Sequence, residues 1–512
     1  MIVDSKLSVC IESWNREIAM TTVAQDKVTP TLPAGPRPWP VIGNLLAFRQ
    51  DPLGYLQQLQ RTYGDMTTVY LGRMPLVFLF KPEYVRYVLI EHPRAFTSRE
   101  ISQPDETTAS EGLLTIDGEK HRQQRRAVQP AFHKKRVESY ADVILQYTDD
   151  ALSGWHIGDT VDLTQSMQEL TLRIIGKCLF DIDFASQLDA LGKTFDEMIG
   201  SQAGILDTLF NLRIDNPVTA YGKRLAAMRK MNMSIYTLIA QRRSEAVERN
   251  DVLSMLLTTE DGSTPGQLLT DKQIHDHILT FIAAGHETTA IALGWSFYLL
   301  SQHPHVREKL QEELRTVLGG RPLTLEDVSK LTYTDWVLNE SMRLYPPAWI
   351  QGRFAAEDFE LDGVHFQAGT RVMLSQWVMH RLPEIWGDPL VFRPERWDPE
   401  HGQQVPSGAY FPFGGGPRTC IGMPLAQLEA RLILATVMQR FNPEVPANYQ
   451  PGFNPVITLR PKHSLKARLM PVPAKDDRST LERRVIVSPT QALDERRGCR
   501  TALLDWLSFF RL

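Results

Sequence analysis

The chain has 512 residues, of which 43% are hydrophobic, so it is long enough to bury a substantial core. Its 56 Lys and Arg against 60 Asp and Glu give a net charge of −4, which excludes a global basic field that would attract nucleic acid. The four cysteines lie far apart without CxxC spacing, which argues against a disulfide framework or a cysteine zinc cage and favours a cytoplasmic location. They are Cys10, Cys178, Cys420 and Cys499.

The first twenty residues contain no continuous apolar run. Charged side chains interrupt each short apolar stretch, so the sequence predicts neither a signal peptide nor a membrane span here. These side chains are Asp4, Lys6, Glu12, Arg16 and Glu17. Met20 is a second plausible start, and we expect residues 1–31 to be a poorly ordered N-terminal extension.

The globular body begins at the proline-rich segment 32–40. Residues 65–80 carry β-branched and aromatic runs broken by a turn, which predicts a hairpin. Helical periodicity dominates from there to about residue 350, as in His305–Leu318, and short strand patterns return at 350–375 and 453–470. The sequence therefore predicts a mainly α fold with a small β region.

Neither an internal repeat nor a linker divides residues 32–472, which we expect to form one domain. After Pro473 the composition becomes charged and poor in apolar residues until a final apolar stretch of twelve residues. That stretch contains Asp505 and is too short to span a bilayer. We expect 473–512 to be a poorly ordered C-terminal extension; a surface-lying or partner-binding helix is the alternative.

The segment Phe411–Leu432, FPFGGGPRTCIGMPLAQLEARL, surrounds Cys420 with features that suit a metal-bound thiolate. Gly414–Gly416 remove side chains that would keep the sulfur away from a flat macrocycle. Periodic leucines after Pro424 predict a helix whose N-terminus favours the thiolate. Arg418 is close enough to meet a carboxylate group. Taken alone, this loop also suits a buried, inert cysteine after a glycine turn.

The stretch IAAGHETTAIALGW predicts a helix with a local defect. Gly285 costs a helix roughly 1 kcal/mol relative to alanine, and the Thr288 hydroxyl can bond the carbonyl of Ala284 and bend the helix. A packing glycine with a capped threonine is the alternative. The pair His286–Glu287 also suits a zinc protease helix, but Ala290 stands where that motif needs its second histidine.

Two further residue pairs indicate a function only when they are considered together with the other motifs. Glu340 and Arg343 are three residues apart, which by itself indicates an ordinary surface pair. His121 and Arg125 are four residues apart on one helix face, so both can donate to one carboxylate group. A solvated basic face is the alternative for the second pair.

The string FxxGxRxCxG from Phe413 to Gly422 resembles the cysteine-loop signature of the cytochrome P-450 superfamily at every defined position. The other motifs follow in the family's order over roughly residues 32–472, and the chain is similar to the soluble bacterial type. The resemblance implies a mainly α prism around haem b, iron protoporphyrin IX, with a small β region. Cys420 would be the axial ligand of the iron. The absence of CxxCH argues against covalent attachment of the haem.

The same resemblance assigns roles to further residues. Ala284 and Gly285 would leave space for dioxygen, and Glu287 and Thr288 would deliver protons to it. Glu340 and Arg343 would be joined by Arg396 in a structural trio beneath the haem. The other haem contacts would be Phe413 and Arg418 of the cysteine loop, His121 and Arg125, and Arg353. His121 departs from the family, which usually has Trp at this position.

The resemblance implies insertion of one atom of O2 into an apolar small molecule, either terpenoid or fatty-acyl-like. Because 512 residues leave no room for a reductase domain, we expect electrons from a separate ferredoxin or flavodoxin with its reductase. A haem-thiolate isomerase or dehydratase acting on a peroxide without O2 is the first alternative, and the intact Glu-Thr pair argues against it. A non-catalytic haem protein is the second alternative.

Two surfaces follow from the resemblance. The electron donor would dock on the Cys420 side, at a basic cluster that we expect to consist of Arg122, Arg126, Lys134, Lys135 and Arg136. The substrate pocket would be apolar with few polar anchors. Its expected lining is Leu113, Leu114, Ile205, Leu206, Leu209, Phe210, Trp349 and Ile350.

Overall fold

A computed structural model describes residues 32–98, 111–183, 216, 219–245, 249, 251–261 and 265–473. The expected N-terminal extension lies outside these ranges, as does the C-terminal extension apart from Pro473. Backbone contacts divide the chain after Met470 into two units, and only 471–473 of the second unit are described. The architecture below is that of the first unit.

The described residues are mainly helical, as the sequence predicts. The periodic stretch expected at His305–Leu318 forms a helix that begins one residue earlier, at Pro304. The α-helices in chain order are α1 Leu45–Gln50, α2 Pro52–Tyr63, α3 Pro82–Arg86, α4 Gly118–Val128, α5 Lys134–Glu138, α6 Ala141–Leu152, α7 Leu163–Phe180, α8 Ala220–Ser244, α9 Val252–Leu257, α10 Asp271–Gln302, α11 Pro304–Leu318, α12 Thr332–Leu344, α13 Gln376–Met379, α14 Pro383–Trp386 and α15 Met423–Arg440.

Short strands form four small sheets in the described part of the chain. The largest has the order β1-β2-β8-β5-β3, with β2 and β8 parallel and its other neighbours antiparallel. The hairpin expected at 65–80 is its β1–β2 pair. The strands are β1 Met66–Leu71, β2 Met74–Leu79, β3 Phe96–Thr97, β4 Thr160–Asp162, β5 Gln351–Ala355, β6 Phe359–Leu361, β7 Val364–Phe366, β8 Arg371–Leu374, β9 Asn442–Glu444, β10 Phe453–Pro455, β11 Leu459–Pro461 and β12 Lys466–Met470.

Helix α10 runs through the hydrophobic core and packs against α7, α12 and α15. It begins with a capping box, in which the Thr270 hydroxyl accepts from the Gln273 amide and the Gln273 side chain bonds back to Thr270. Most of its residues are buried, as expected for a helix that is apolar on several faces. A second core lies under the largest sheet and α2. Among the described helices, none is both long and apolar enough to cross a membrane.

Candidate active site

The loop before α15 has a backbone conformation that favours glycine at two positions. Gly414 and Gly416 have φ angles of 71° and 63°, in the left-handed region. A Cβ on Gly416 would also overlap the carbonyl oxygen of Leu89. The turn closes where the amide of Cys420 donates to the carbonyl of Phe413 at 2.9 Å. These glycines therefore fix where Cys420 lies.

The sulfur of Cys420 lies at the N-terminus of α15, whose first turn contains Pro424 as predicted. Burial raises the pKa of the Cys420 thiol, whereas the amides of Gly422 and Met423 and the charge of Arg125 lower it. Protein atoms surround the Cys420 side chain closely enough to desolvate it, but part of its surface is exposed. The thiol is therefore accessible to a ligand, and the sulfur can bind a metal.

A cavity of about 700 Å³ beside this loop collects four basic residues predicted from separate segments. His121, Arg125, Arg353 and Arg418 all line it. Burial, reinforced by Arg418 and Arg125, lowers the pKa of His121 to about 4, so its imidazole is neutral at pH 7 and has one N–H to donate. Burial and Arg418 lower the pKa of Arg353 to about 10, which leaves it cationic. Arg94, Arg122 and Arg126 line the same cavity, so six guanidinium groups and one imidazole border a space suited to carboxylates.

Asp117 also lines this cavity, although no sequence pattern selected it. Its Oδ1 accepts from Arg418 and, at 2.9 Å, from the amide of Ser98. Arg418 donates in addition to the carbonyl of Ile116. An Asp-Gly pair before a helix suggests only an N-cap, and Asp117 forms no capping hydrogen bond. The cavity therefore contains an anionic group beside its donors.

Part of α10 borders open space. Ala284 is exposed and Thr288 is partly exposed, although most of this helix is buried. The Thr288 hydroxyl donates to the carbonyl of Ala284 at 2.7 Å, as predicted. A Cβ on Gly285 would lie 2.9 Å from Cδ1 of Ile175, so this glycine lets α7 approach α10 closely. Its expected place beside dioxygen stays a prediction.

Glu287 makes contacts that the sequence did not reveal. Its Oε1 accepts from the Thr458 hydroxyl at 2.6 Å and from Nε of Arg460. The carboxylate is therefore held by the β10–β11 segment, while the neighbouring Thr288 bonds within α10. Because about 170 residues separate the partners, no local pattern could have linked them.

The trio predicted from Glu340, Arg343 and Arg396 is confirmed. Arg343 donates to both Glu340 oxygens at 2.8 Å, and Nε of Arg396 donates to Oε1 at 3.2 Å. All three side chains have no solvent exposure. The Trp397 indole and the Arg393 amide, both at 3.1 Å, complete the donors to this carboxylate. A buried ion pair of this kind requires such complete hydrogen bonding.

The sequence profile of the family described as Cytochrome P450 matches residues 33–466, which is most of the chain. The chain belongs to this family. A cyanobacterial cytochrome P450, CYP120A1 with bound retinoic acid, has the same fold, with a TM-score of 0.77 and 26% sequence identity. That match covers 86% of this chain and all of the other.

Curated P450 relatives include two monooxygenase-type enzymes from Streptomyces. Cyclooctat-9-en-7-ol 5-monooxygenase of Streptomyces melanosporofaciens is 35% identical, over 81% of this chain and 92% of its own length. Pentalenene oxygenase of Streptomyces avermitilis is 32% identical, over 78% of this chain and 89% of its own length. The chain is accordingly a cytochrome P450 monooxygenase, and the P450 fold implies a haem cofactor.

The residues present fit a haem. A thiol at a helix N-terminus can ligate iron, and the nearby cavity offers donors for two propionates. Phe413, which is expected to contact the P450 haem, is joined to Cys420 by a backbone hydrogen bond. The structure thus brings together the proximal residues predicted from sequence.

The expected pocket lining is placed only in part. Ile205, Leu206, Leu209 and Phe210 lie outside the described residues. Leu114 is 68% exposed and Ile350 is partly exposed. Leu113 and Trp349 are instead packed into the cores of the P450 fold, where the Trp349 indole donates to the Val456 carbonyl at 3.1 Å. The place of these two side chains in the substrate pocket stays a prediction.

Proposed function

We propose that this P450 inserts one atom of O2 into an apolar terpenoid, using haem b and electrons from a separate protein. The observation that carries the proposal is an accessible cysteine at a helix N-terminus, beside a cavity lined by basic side chains that can donate hydrogen bonds to carboxylates. The names of the relatives, which specify cyclooctat-9-en-7-ol and pentalenene, favour a terpenoid over a fatty acyl chain. A cytoplasmic location remains part of the proposal.

The proximal residues hold the cofactor. Bound haem supplies the activation of O2. Cys420 would ligate the haem iron through its sulfur, with the amides of Gly422 and Met423 stabilising the negative charge. His121 would donate its N–H to a propionate, and the arginines lining the cavity would neutralise the charge of both propionates. Non-covalent binding, as in haem b, follows from the missing CxxCH motif.

The distal residues manage protons. The Thr288 hydroxyl donates its hydrogen bond to the Ala284 carbonyl. The lone pairs of the hydroxyl oxygen can therefore accept a hydrogen bond from a water molecule at the site. Glu287 lies next in sequence and forms the inner end of a polar path through Thr458 and Arg460. We assign proton supply to this path and proton placement to Thr288.

Electrons come from a ferredoxin or flavodoxin with its reductase. In the basic cluster, Arg122 and Arg126 lie on α4 and also line the cavity, whereas Lys134, Lys135 and Arg136 lie on α5. Arg122 and Lys134 pair with Glu119 and Glu138 at exposed positions, so these two charges are partly compensated. Lys135 is exposed and remains available to an acidic partner, whereas Arg126 is exposed at the edge of the cavity.

The decisive experiment measures oxygen insertion directly. The purified holoenzyme is supplied with NADPH, a surrogate ferredoxin and its reductase, a cyclic terpenoid and 18O2. We expect a product one 18O atom heavier than the substrate, and substrate-dependent oxygen uptake. Conversion of an organic hydroperoxide without O2 or reductase, with no labelled product from the terpenoid, would replace this proposal by the isomerase alternative.

A further inference from the structure

Residues Glu111–Asp117, here called the strap, connect α10 to the cysteine loop. At its first end, the amide of Glu111 donates to Oδ2 of Asp276 on α10 at 2.9 Å. At its last end, Ile116 and Asp117 accept from Arg418. An internal turn, in which Thr115 bonds back to the Gly112 carbonyl at 2.9 Å, keeps the strap compact.

The first end of the strap lies very close to α10. A Cβ on Gly112 would overlap the Thr280 hydroxyl and lie 2.6 Å from the carbonyl oxygen of Asp276. Leu113 is 6% exposed, so it anchors the strap in the main core. The strap therefore packs closely against the surface of α10 around Asp276.

Asp276 also connects the strap to α8. Its Oδ1 lies 2.8 Å from Nδ1 of His275, and its Oδ2 accepts from Lys272 at 2.8 Å. Nε2 of His275 lies 3.0 Å from Oδ1 of Asn232, and the imidazole stacks on the Tyr236 ring at 4.6 Å. Asn232 and Tyr236 belong to α8.

The buried pair His275–Asp276 thus forms hydrogen bonds to both the strap and α8. The two residues are 4% and 2% exposed, and every polar atom of their side chains has a partner. Burial alone would raise the pKa of Asp276, but the His275, Lys272 and Glu111 hydrogen bonds hold it below its usual value. Losing either side chain removes the hydrogen-bond partner of a partly buried group, the Glu111 amide of the strap or the Asn232 side chain of α8.

We propose that the His275–Asp276 pair is a positioning unit for substrate binding, because it holds the strap and α8 on α10 in a single arrangement. The inference rests on the proposed function, since the pocket in question is that of the haem site. Ala284 lies eight residues after Asp276, which is about 12 Å along the helix. The strap runs from Asp276 on α10 to Arg418 at the haem cavity. Leu114, which lies between these two ends, is exposed. The strap therefore borders the region where haem and substrate meet.

The test compares a large and a small ligand of the haem in the full-length holoenzyme. Clotrimazole is a bulky apolar azole that must contact the pocket walls, whereas imidazole needs only the iron. In Asp276→Ala we expect clotrimazole to bind at least about tenfold more weakly and imidazole to change by less than about threefold, both from spectral titration. Hydrogen exchange of the strap amides, led by Glu111, should become faster.

Two further variants separate positioning from general destabilisation. Asp276→Asn keeps an oxygen acceptor for the Glu111 amide and should recover part of the clotrimazole affinity. Asp271→Ala is the matched control, because Asp271 pairs with Arg243 at 2.7 Å and joins the same two helices without touching the strap. It should leave both azoles and strap exchange unchanged.

Several outcomes would overturn the inference. These are equal weakening of both azoles, an Asp271→Ala effect as large as that of Asp276→Ala, or unchanged strap exchange. If Asp276→Ala does not retain haem, His275→Phe takes its place, since it keeps the ring on Tyr236 and loses both nitrogen contacts; no difference between the azoles would then refute the proposal. A wild-type protein without an azole-induced spectral shift would refute the proposed function instead, while strap exchange would still decide the inference.

Discussion

Nε of Arg460 donates to Oε1 of Glu287, and this ion pair joins the β10–β11 segment to the helix that carries Thr288. The Glu287 side chain is 2% exposed, and the Thr458 hydroxyl is its second donor. The carboxylate next to Thr288 therefore depends on residues from the far end of the chain.

Replacing Arg460 should impair proton supply. Arg460→Met leaves a buried carboxylate without its cation, so we expect turnover to fall about tenfold or more and the solvent isotope effect in D2O to rise. Haem content should persist. Arg460→Lys keeps a cation and should restore much of the rate, and unchanged turnover in Arg460→Met would remove Glu287 from the proposed path.

Replacing Thr288 should uncouple oxygen consumption from product formation. Alanine is the better helix former, so folding, haem content and substrate-induced spectral change should persist in Thr288→Ala. More of the NADPH and oxygen consumed should leave as hydrogen peroxide, because protons are misplaced at the site. Thr289→Ala is the control, since its hydroxyl also bonds within the helix, to Gly285 at 3.1 Å. Wild-type coupling in Thr288→Ala would contradict the role of this hydroxyl.

Replacing Cys420 should remove the thiolate signature. In Cys420→Ser the reduced carbon monoxide complex should lose the thiolate spectrum, because serine oxygen or water is a poorer donor to iron. Cys178→Ala deletes a buried thiol elsewhere and should leave that spectrum intact. A Cys420→Ser protein with the wild-type spectrum would disprove axial ligation by this residue.

Neutralising Glu340 should destabilise the fold. Glu340→Gln leaves two buried guanidinium groups without their anion, which costs about 3–5 kcal/mol. Urea unfolding, read together with haem loss, measures the effect. Glu312→Gln breaks the exposed pair with Arg315 and should cost less than about 0.5 kcal/mol. Equal midpoints for the two variants would show that the buried trio contributes no net stability.

Acid should destabilise the protein partly through His277. Burial lowers the pKa of this imidazole from 6.5 to about 4, so the unfolded chain takes up its proton first as the pH falls. Stability from this group is complete above pH 6.5 and declines by up to about 1.4 kcal/mol per pH unit down to about pH 4. His277→Gln should flatten that decline, whereas His401→Gln, at an exposed position, should not. Parallel stability curves for wild type and His277→Gln would contradict the shift.

The backbone of the cysteine loop could be predicted because its signals are local. The glycines and Pro424 around Cys420 constrain the backbone within a dozen residues, so the loop and the start of α15 could be inferred directly. His121 and Arg125 followed from helical spacing. Their convergence with Arg353 came from family resemblance, because β5 approaches α4 only through the tertiary fold.

The distal site was less predictable because its contacts are long-range. Nothing near Glu287 indicates that Arg460 will pair with it, and nothing near Asp276 indicates the Glu111 amide. Trp349 was expected in the pocket from the family resemblance, and the hydrogen bond from its indole to the Val456 carbonyl was not foreseen. Hydrophobic pattern alone does not distinguish a buried side chain from one that lines a cavity.

The parallel pairing of β2, Met74–Leu79, with β8, Arg371–Leu374, sets an order of events during biosynthesis. The β1–β2 hairpin can form early, but its sheet waits until some 300 further residues have been made. The cysteine loop, which fits against the Leu89 carbonyl, is translated later still. The emerging chain therefore exposes an unfinished sheet edge for most of its synthesis, and haem can be captured only near the end.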